Sequence, residues 1–322
     1  MDVSILIVNY HSAELIVDCC NSIRDKTKDL EYEIIVVDNA SNDNSIEVLK
    51  KKLGTKIHLV VSDENLGFGK ANNLAAEYAH GKYLFILNPD TVLVNNAIKI
   101  LYDYMEENVD VGISGGNLYS LSMTATPSYC MHFDDLMTEK KAASWYKIIR
   151  KKIGEKTRTL SHKTYQPFVE VFNYSNEIKE VAYIFGADMM VSKKLFEEVQ
   201  GFDPDFFMYA EEEELSWRIT QKGYRIVSIP QAQIIHLEGA TINLTHEFNI
   251  RQFKMRMTGT MTYYKKRFGM DGVNLFYQYR SKRYQRLVKI AKLQNKYSDD
   301  LVPALQNKYL EEVYKEFMRD QN

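Results

Sequence analysis

Amides, carboxylates and an imidazole stand at the ends of apolar runs, where they can bind a metal ion and a phosphate ester. Asn88-Pro89-Asp90 follows the run YLFIL, and a carboxylate there can hold a divalent cation on a phosphate-bearing ligand. His236 ends a second apolar run, and a neutral imidazole can complete a metal site with Asp90. The structural alternatives are a turn at Asn-Pro-Asp and a core position for the histidine.

Four consecutive glutamates, Glu211–Glu214, stand at the start of a predicted helix and follow the aromatic segment FFMYA. One of these carboxylates can serve as a general base if it is held in a cleft. The alternative is a solvated first turn whose negative charges complement the helix dipole. The residues alone leave both interpretations open.

A glycine-containing segment, Asn65-Leu66-Gly67-Phe68-Gly69-Lys70, precedes another predicted helix. Its spacing matches neither a P-loop nor a dinucleotide-binding glycine motif. Glycine before a helix N-terminus still permits a phosphate to approach closely.

The elements that must position these residues alternate between strand and helix over the first 115 residues. Short apolar runs predict strands at Val3–Val8, Ile34–Val37, Ile57–Val61, Tyr83–Leu87 and Val111–Ser114. Helical spacing predicts helices after Ser12 and at Ser45–Leu53, Lys70–Ala79 and Ala97–Glu107. This alternation indicates a mostly parallel, doubly wound α/β sheet, which binds ligands beyond the carboxyl ends of its strands.

The pattern is less regular farther along the chain. Lys140–Lys163 is basic and predicts a flap or a surface helix. Val181–Val191 predicts a strand pair around Gly186, and Lys193–Val199 and Glu211–Gln221 predict helices. Two short strands are expected at Ile226–Ile229 and Ile234–His236.

Taken in order, these segments resemble the family 2 glycosyltransferases with the GT-A fold, in particular the rhamnosyltransferase-like branch. The resemblance rests on ILIVNYHS, VVDNAS, NLGFGKAN, LNPDT, FGA, GFD, Phe206–Arg218 and His236–Thr241, which lie between about residues 3 and 241. It implies a Rossmann-like, mostly parallel central sheet flanked by helices, with a C-terminal helical extension.

The resemblance also implies a role for each matching residue. It places Asn9, Tyr10, Asp38, Asn39, Asn65, Gly67, Phe68, Asn88, Asp90, Trp217 and Arg218 at the donor, with Asp38 accepting from the pyrimidine imide N–H. Asp90 and His236 are the implied metal ligands, for Mg²⁺ or Mn²⁺. Glu212 is the implied catalytic base, with Glu211 and Glu214 as alternatives, because Glu212 stands where the family usually has Asp. Asn88 likewise replaces the first Asp of the family's Asp-x-Asp motif.

The implied reaction is an inverting transfer from a nucleoside-diphosphate sugar to a hydroxyl of a glycan or a lipid-diphosphate-linked glycan, in surface polysaccharide assembly. The branch favours dTDP-L-rhamnose, and a UDP-hexose is the alternative donor. A sugar-1-phosphate nucleotidyltransferase should have a glycine-rich basic loop after the first strand, where this chain has Asn9-Tyr10-His11-Ser12.

Composition favours a globular protein in a reducing compartment. The chain has 322 residues, 45% of them apolar and 26% charged, with a net charge of −2. Its three cysteines form no disulfide framework, and the first residues lack the basic region of a signal peptide. We therefore expect a cytoplasmic protein without a transmembrane helix.

The charge is unevenly distributed along the chain. Residues 251–296 hold thirteen Lys/Arg and one acid, Asp271, a net charge of +12, interleaved with Tyr and Phe. A basic, aromatic helix pair fits an anionic membrane surface at the inner face of the membrane. The alternatives are a solvated hairpin, a homo-oligomer contact or, as another class of function, nucleic-acid binding, against which the acidic remainder of the chain argues.

We therefore predict two parts. The first is a GT-A domain over 1–247, with a nucleotide-sugar half over about 1–116 and an acceptor half over about 117–247. The second is a basic, aromatic helical extension over 248–322.

Overall fold

The structure is a computed structural model that describes residues 1–144, 171–237, 248–293 and 297–321. It forms two compact units. Unit 1 holds residues 1–133, 169–207 and 211–245, and unit 2 holds residues 134–168, 208–210 and 246–322. The predicted extension thus falls in unit 2 together with two earlier segments.

Unit 1 is built on a sheet of nine strands. Its strands are β1 (Val3–Asn9), β2 (Tyr32–Asn39), β3 (His58–Ser62), β4 (Tyr83–Leu87), β5 (Thr91–Leu93), β6 (Val111–Tyr119), β8 (Lys179–Glu180), β10 (Asp188–Ser192) and β11 (Arg225–His236). A second, two-stranded sheet pairs β7 (Tyr129–Cys130) with β9 (Tyr183–Ile184).

The strand order in the large sheet is β3-β2-β1-β4-β10-β6-β11-β5, with β8 on β11. Strands β1 to β4 are parallel to one another, and β6 is parallel to β11. Strands β10, β5 and β8 run antiparallel to their neighbours. The sheet is therefore mostly parallel, as the sequence predicts.

Helices cover both faces of this sheet and bury an apolar cluster on each. The helices of unit 1 are α1 (Ala13–Lys26), α2 (Ser45–Lys52), α3 (Gly67–Glu77), α4 (Ala97–Glu107), α6 (Lys193–Glu198) and α7 (Glu211–Gln221). Residues of α1, α2 and α4 join the cluster on one face, and residues of α3, α6 and α7 join the cluster on the other. Strand β1 contributes to both clusters, which explains its continuous apolar sequence.

Two predicted features differ from the structure. The strands on either side of Gly186 do not pair with each other: β9 pairs with β7, whereas β10 lies between β4 and β6. The two short strands predicted at 226–236 form one strand, β11, whose register with β6 shifts between Ser228 and Gln233. Pro230 lies within this irregular stretch. Proline has no N–H to donate to a neighbouring strand, so regular pairing is interrupted there.

Unit 2 is helical in its described part and contains α5 (Leu136–Ala142), α8 (Ile250–Leu293) and α9 (Tyr297–Arg319). Helix α8 is interrupted at Gly269, where φ is 66° and ψ is −170°. The apolar residues Leu310, Val313 and Phe317 of α9 are buried, and α9 packs against α8. Tyr314 stacks on Tyr277 with 4.0 Å between ring centroids.

Most aromatic side chains of the basic segment lie in the interior of unit 2. Tyr263, Tyr264 and Phe276 are fully buried, and Tyr284 is 6% exposed. Arg280 forms a buried ion pair with Glu139. These four rings therefore offer no stacking surface, which weakens the feature that suggested the nucleic-acid alternative.

Within the described residues, no helix is long and apolar enough to cross a bilayer. The basic stretch predicted as a flap lies outside the described residues beyond residue 144, and so does most of the motif that follows His236.

Candidate active site

The carboxyl ends of β1 and β2 bring Asn9 and Asp38 together. The two residues are partners in the β1–β2 register, and Asn9 Nδ2 donates to Asp38 Oδ1 at 2.5 Å. The Ser41 hydroxyl donates to the same oxygen at 2.7 Å and accepts from Asn9 Nδ2 at 3.0 Å. Both Asn9 and Asp38 are buried, so this network fixes the orientation of the Asp38 carboxylate.

Ser41 is a member of this site that sequence reasoning missed. Its hydroxyl bridges Asn9 and Asp38, and its backbone N–H donates to Asp38 Oδ2 at 3.3 Å. The available signal was its spacing, since an Asp followed closely by Ser favours a turn in which the carboxylate accepts from the following backbone.

A second amide network joins the end of β2 to the start of α3. Asn39 Nδ2 donates to Asn65 Oδ1 at 3.1 Å and to the Gly67 carbonyl at 3.0 Å. Asn39 Oδ1 accepts from the Leu66 N–H at 2.8 Å. The predicted donor residues Asn39, Asn65 and Gly67 are therefore held together beside Asp38.

Gly67 occupies a position that only glycine can fill. Its φ is +80°, and a Cβ atom there would lie 2.0 Å from the Phe207 carbonyl oxygen. The next residue, Phe68, donates its N–H to the same carbonyl at 3.0 Å, and its ring packs on Phe202. The half-buried Phe68 ring also lies against Gly186, where a Cβ would be 3.0 Å from it.

Tyr10 is the exposed aromatic residue at this edge of the sheet. Tyr10 directly follows β1, and the residue is 39% exposed. Its ring meets the His11 ring edge to face, with 4.3 Å between the ring centroids. An exposed ring at the same edge of the sheet as Asp38 is a suitable surface for a flat heterocycle.

Asp90 and His236 meet where β5 pairs with β11. His236 is the register partner of Thr91, which places the imidazole beside the preceding residue, Asp90. His236 Nε2 lies 3.3 Å from Asp90 Oδ1 and 3.4 Å from Asn88 Nδ2. The side chains of Asp90 and His236 are 8% and 14% exposed. The structure thus brings His236 to Asn88 and Asp90, although His236 lies 148 residues after Asn88 in the sequence.

This set of donors fits a divalent cation that also binds phosphate oxygens. Asp90 supplies a carboxylate oxygen and His236 an imidazole nitrogen, both of which suit Mn²⁺, while Mg²⁺ favours the carboxylate. The described residues contain no group of three or more acidic, histidine or cysteine side chains arranged for a metal. A cation here would therefore take its remaining ligands from water and a diphosphate, as is usual for metal ions bound with phosphate substrates.

The electrostatic surroundings of Asp90 also favour a cation. Asp90 lines a cleft of about 430 Å³ that is bordered by Asp18 and Asp25 of α1. Lys26 is the basic residue in the same lining. The carboxylates thus outnumber the cationic side chains around this cleft.

The four glutamates at the start of α7 differ in their environments. Glu214 accepts from Arg218 Nε at 2.8 Å and from Arg218 Nη2 at 2.7 Å. Arg218 also donates to the carbonyls of Val199 and Gly201. Because these contacts engage Arg218 inside the protein, its predicted contact with the donor has no support from this geometry.

Glu211 is 3% exposed, and its Oε2 has no hydrogen-bond partner among the described residues. Burial, and secondarily the nearby Glu212 charge, raises the pKa of Glu211 well above its ordinary value. Glu213 is buried, whereas Glu212 and the predicted donor residue Trp217 are half-buried. Glu212 is thus the most accessible carboxylate of the run.

Comparison with known proteins agrees with this architecture. Residues 4–199 match the family described as Glycosyl transferase family 2. The chain is 33% identical over 112 residues to a poly(ribitol-phosphate) beta-glucosyltransferase of Bacillus spizizenii, covering 34% of this chain and 18% of that protein. It is 26% identical over 238 residues to a low-salt glycan biosynthesis hexosyltransferase of Haloferax volcanii, covering 73% of this chain and 66% of that one. The matches therefore span less than two thirds of these curated relatives.

Solved structures share the fold at low sequence identity. A mannosyltransferase from Pyrobaculum calidifontis, in complex with GDP-Man and Mn²⁺, superimposes with a TM-score of 0.57 at 14% identity, covering 99% of this chain and 88% of that one. A GalNAc-T7 structure with UDP, GalNAc and Mn²⁺ gives a TM-score of 0.56 at 14% identity, covering 99% and 56%. The family match over residues 4–199, together with this fold, shows that the chain belongs to glycosyltransferase family 2.

Proposed function

We propose that this glycosyltransferase moves a sugar, with inversion, from a pyrimidine nucleoside diphosphate to a hydroxyl of a glycan or lipid-diphosphate-linked glycan. The observation that carries the proposal is the clustering of polar side chains at the carboxyl ends of β1, β2 and β4. A buried, oriented carboxylate, Asp38, lies near the end of β2, and Asp90, which contacts His236, follows β4. This is the edge at which open α/β sheets bind nucleotides.

Asp38 supports a pyrimidine base. Asn9 and Ser41 hold its Oδ1 through side-chain hydrogen bonds, while its Oδ2 accepts only a longer bond from the Ser41 N–H among the contacts described. A carboxylate oxygen can accept from the imide N–H, which uracil and thymine share. We favour dTDP-L-rhamnose as the donor from the branch resemblance and keep a UDP-hexose as the alternative.

Asp90 and His236 are the proposed ligands of Mg²⁺ or Mn²⁺. When bound, the cation offsets the negative charge that develops on the leaving diphosphate. The relatives' structures that contain Mn²⁺ support a divalent ion. Asn88 Nδ2 contacts the same imidazole nitrogen, Nε2, so a bound cation would take the place of this contact.

Glu212 is the proposed catalytic base, which takes the proton of the acceptor hydroxyl as the oxygen attacks the anomeric carbon. Glu214 is less suited because its carboxylate is held by Arg218. Glu211 is less suited because it is nearly inaccessible and burial favours its protonated form. Glu212 lies on the same first turn of α7 and is half-buried, so an acceptor hydroxyl can reach its carboxylate.

The first experiment is a thermal-shift series with Mn²⁺ and dTDP-rhamnose, UDP-glucose, UDP-galactose, UDP-N-acetylglucosamine or GDP-mannose. A ligand at 100 times its Kd stabilises a protein by about 2.7 kcal/mol, enough to raise Tm by a few degrees. We expect a metal-dependent shift with one pyrimidine nucleotide sugar and none with GDP-mannose. A shift with GDP-mannose alone would contradict the role of Asp38.

Two variants separate the metal site from the base. Asp90→Asn should remove the metal dependence of the shift together with the activity. Glu212→Gln should keep the donor-induced shift and lose turnover, by the factor of about 10² to 10⁴ that a general base contributes. Glu211→Gln is the matched control, and loss of turnover in it instead would transfer the role of base to Glu211.

We also propose that the acceptor is met at the inner face of the membrane. Because most rings of the basic segment are buried, this proposal rests on charge rather than on aromatic insertion, and Lys266, Lys282 and Lys289 are exposed. Each basic residue near an anionic surface contributes about 1 kcal/mol, which salt screens. Sedimentation with phosphatidylglycerol vesicles should be strong at low salt and weak at high salt. Binding that is insensitive to salt would contradict an electrostatic contact, and a concentration-dependent mass in light scattering would reveal a homo-oligomer.

A further inference from the structure

A second cleft in unit 1, of about 370 Å³, has no place in the reaction described above. It is lined by the end of β6, the hairpin that follows it, residues 172–176 and the irregular part of β11. Segments 117–125 and 171–176 are more than 40 residues apart in sequence, and the hydrogen bond from Asn117 Nδ2 to the Asn173 carbonyl joins them at 2.8 Å. The volume falls within the range of about 300–1,000 Å³ that is usual for small-molecule sites.

The lining of this cleft is uncharged. None of the eleven described residues that form it is acidic, basic or histidine. A phosphate or nucleotide site would be expected to offer cationic side chains or a helix N-terminus. The ligand that suits this lining is therefore neutral.

Aromatic rings form one side of the cleft. Tyr119 and Phe172 meet edge to face at 5.3 Å, and Phe172 meets Tyr174 at 4.8 Å. Tyr174 is 62% exposed, an unusual state for a large ring packed on other rings. Such rings give a flat apolar surface with polar edges, which matches the C–H face and hydroxyl rim of a sugar.

Amide groups form the other side, and one of them has an unmet hydrogen bond. Asn117 is 2% exposed, and its Oδ1 has no partner among the described residues although its Nδ2 is bonded. A buried acceptor without a donor costs about 1–3 kcal/mol, so a hydroxyl donor that reaches it would be favoured. Asn176 and Gln233 supply further amides to the same lining. Paired donors and acceptors of this kind suit adjacent hydroxyl groups.

The cleft shares strand β11 with His236, one of the two proposed metal ligands. Gln233 pairs with Asn117 and Ile235 with Tyr119, and His236 is the next residue of β11. Gln233 and His236 are three residues apart on this strand, which separates their Cα atoms by roughly 10 Å and directs their side chains to opposite faces of the sheet. The cleft and the imidazole thus lie near the same strand end but not on one face.

We infer that this cleft binds a neutral sugar unit of the acceptor glycan, at a distance from the hydroxyl that is glycosylated. The inference names the acceptor class for the proposed function and rests on that function for its place in the reaction. The binding site itself rests on the uncharged lining, the exposed Tyr174 ring and the unpartnered Asn117 oxygen.

The test is saturation-transfer NMR on the full chain with three neutral probes: cellobiose, lactose and N,N′-diacetylchitobiose. We expect at least one disaccharide to bind. Tyr174→Ala should weaken that binding about tenfold, because the ring that stacks on the sugar is lost. Because Tyr174 is largely exposed, this variant should fold normally. Tyr78→Ala, which removes another half-exposed tyrosine, is the matched control and should bind as the wild type does.

A second arm measures Mn²⁺-dependent binding of UDP and dTDP to the same three proteins. The sugar-binding role of the cleft is wrong if no disaccharide binds, or if binding is unchanged in Tyr174→Ala. If nucleotide binding is retained in that case, the proposed function still stands. A disaccharide signal that depends on Tyr174 supports the cleft, even if neither nucleotide binds and the proposed function fails.

Discussion

Asp188 offers the sharpest test of the energetics of unit 1. This residue begins β10 between β4 and β6, is 0% exposed and accepts one hydrogen bond, from the Gly116 N–H to Oδ2 at 2.6 Å. Its Oδ1 has no partner among the described residues. Burial raises the pKa of Asp188 well above its ordinary value, and the Gly116 bond offsets only part of this effect.

The direction of the pH effect follows from that raised pKa. The unfolded chain ionises Asp188 near pH ~3.9, whereas the folded protein keeps it protonated to higher pH. The contribution of Asp188 to the free energy of unfolding is therefore fully present below its pKa in the unfolded chain. It is lost as pH rises toward its pKa in the folded protein, by up to about 1.4 kcal/mol per pH unit. Asp188→Asn keeps the shape and an oxygen for Gly116 but does not titrate.

We expect the stability of Asp188→Asn relative to the wild type to increase between pH 5 and pH 7. The increase is at most about 2.7 kcal/mol, or roughly 5 to 10 °C in Tm for a unit of this size. Thermal unfolding at pH 5, 6 and 7 measures it, and the difference between variant and wild type removes the titration of distant groups. A difference that stays constant over this range would refute the raised pKa.

The control is Asp110→Asn, at an exposed carboxylate that accepts from Arg225 Nε at 2.7 Å. That hydrogen bond lowers the pKa of Asp110. Its contribution to stability is therefore present above the unfolded pKa and is lost only as pH falls through the lower folded value. The stability difference for Asp110→Asn should not change between pH 5 and pH 7.

Three further changes probe other parts of the structure. Gly67→Ala should destabilise unit 1 by more than about 2 kcal/mol in urea unfolding, since its Cβ would collide with a backbone carbonyl at a positive φ. In the native protein, Cys130 should react with a thiol reagent before Cys19, because burial raises the pKa of Cys19 to about 12. Arg280→Ala should destabilise unit 2 by about 3–5 kcal/mol, since it leaves the buried Glu139 carboxylate unpaired, and a loss below 1 kcal/mol would mean that water reaches the pair.

Strands β1, β2 and β4 were predictable because buried parallel strands have a simple pattern. A strand covered on both faces must be apolar throughout, and Tyr83–Leu87 was predicted with its observed bounds. The polar residues that follow such strands then lie together at one edge, as Asn9 and Asp38 do. In this part of the chain, local pattern and tertiary arrangement agree.

The later strands were less predictable because their partners are distant in sequence. The segment around Gly186 has the alternation of a hairpin, yet β9 and β10 join different sheets. The position of β10 depends on β4 and β6, between which it lies antiparallel to both. The local sequence does not encode such distant strand partners. Nor does it encode the hydrogen bond between Asn117 and Asn173.

The aromatic residues of the basic segment show the same limit. Their interleaving with Lys and Arg is equally typical of a membrane-binding helix and of a helix hairpin with its own core. In the structure Tyr263 and Phe276 are fully buried, so these rings belong to the core of a helix hairpin. Exposed lysines remain on this segment, so a contact with an anionic surface stays a prediction that rests on charge.

The run Glu211–Glu214 shows why the sequence can reveal an acidic motif without revealing which of its residues has which role. Successive residues of a helix point about 100° apart, so four adjacent side chains must enter four environments. In α7 three of the carboxylates are buried, one of them (Glu214) is held by Arg218, and Glu212 is half-buried. Burial and the nearby Glu212 charge raise the pKa of Glu211, so Glu211 stays protonated over the range in which a free glutamate ionises. Glu211→Gln therefore removes no charge beside Glu212. If Glu212 is the base, this variant should leave the acidic limb of the pH–rate profile unchanged, whereas a shifted limb would move the role of base to Glu211.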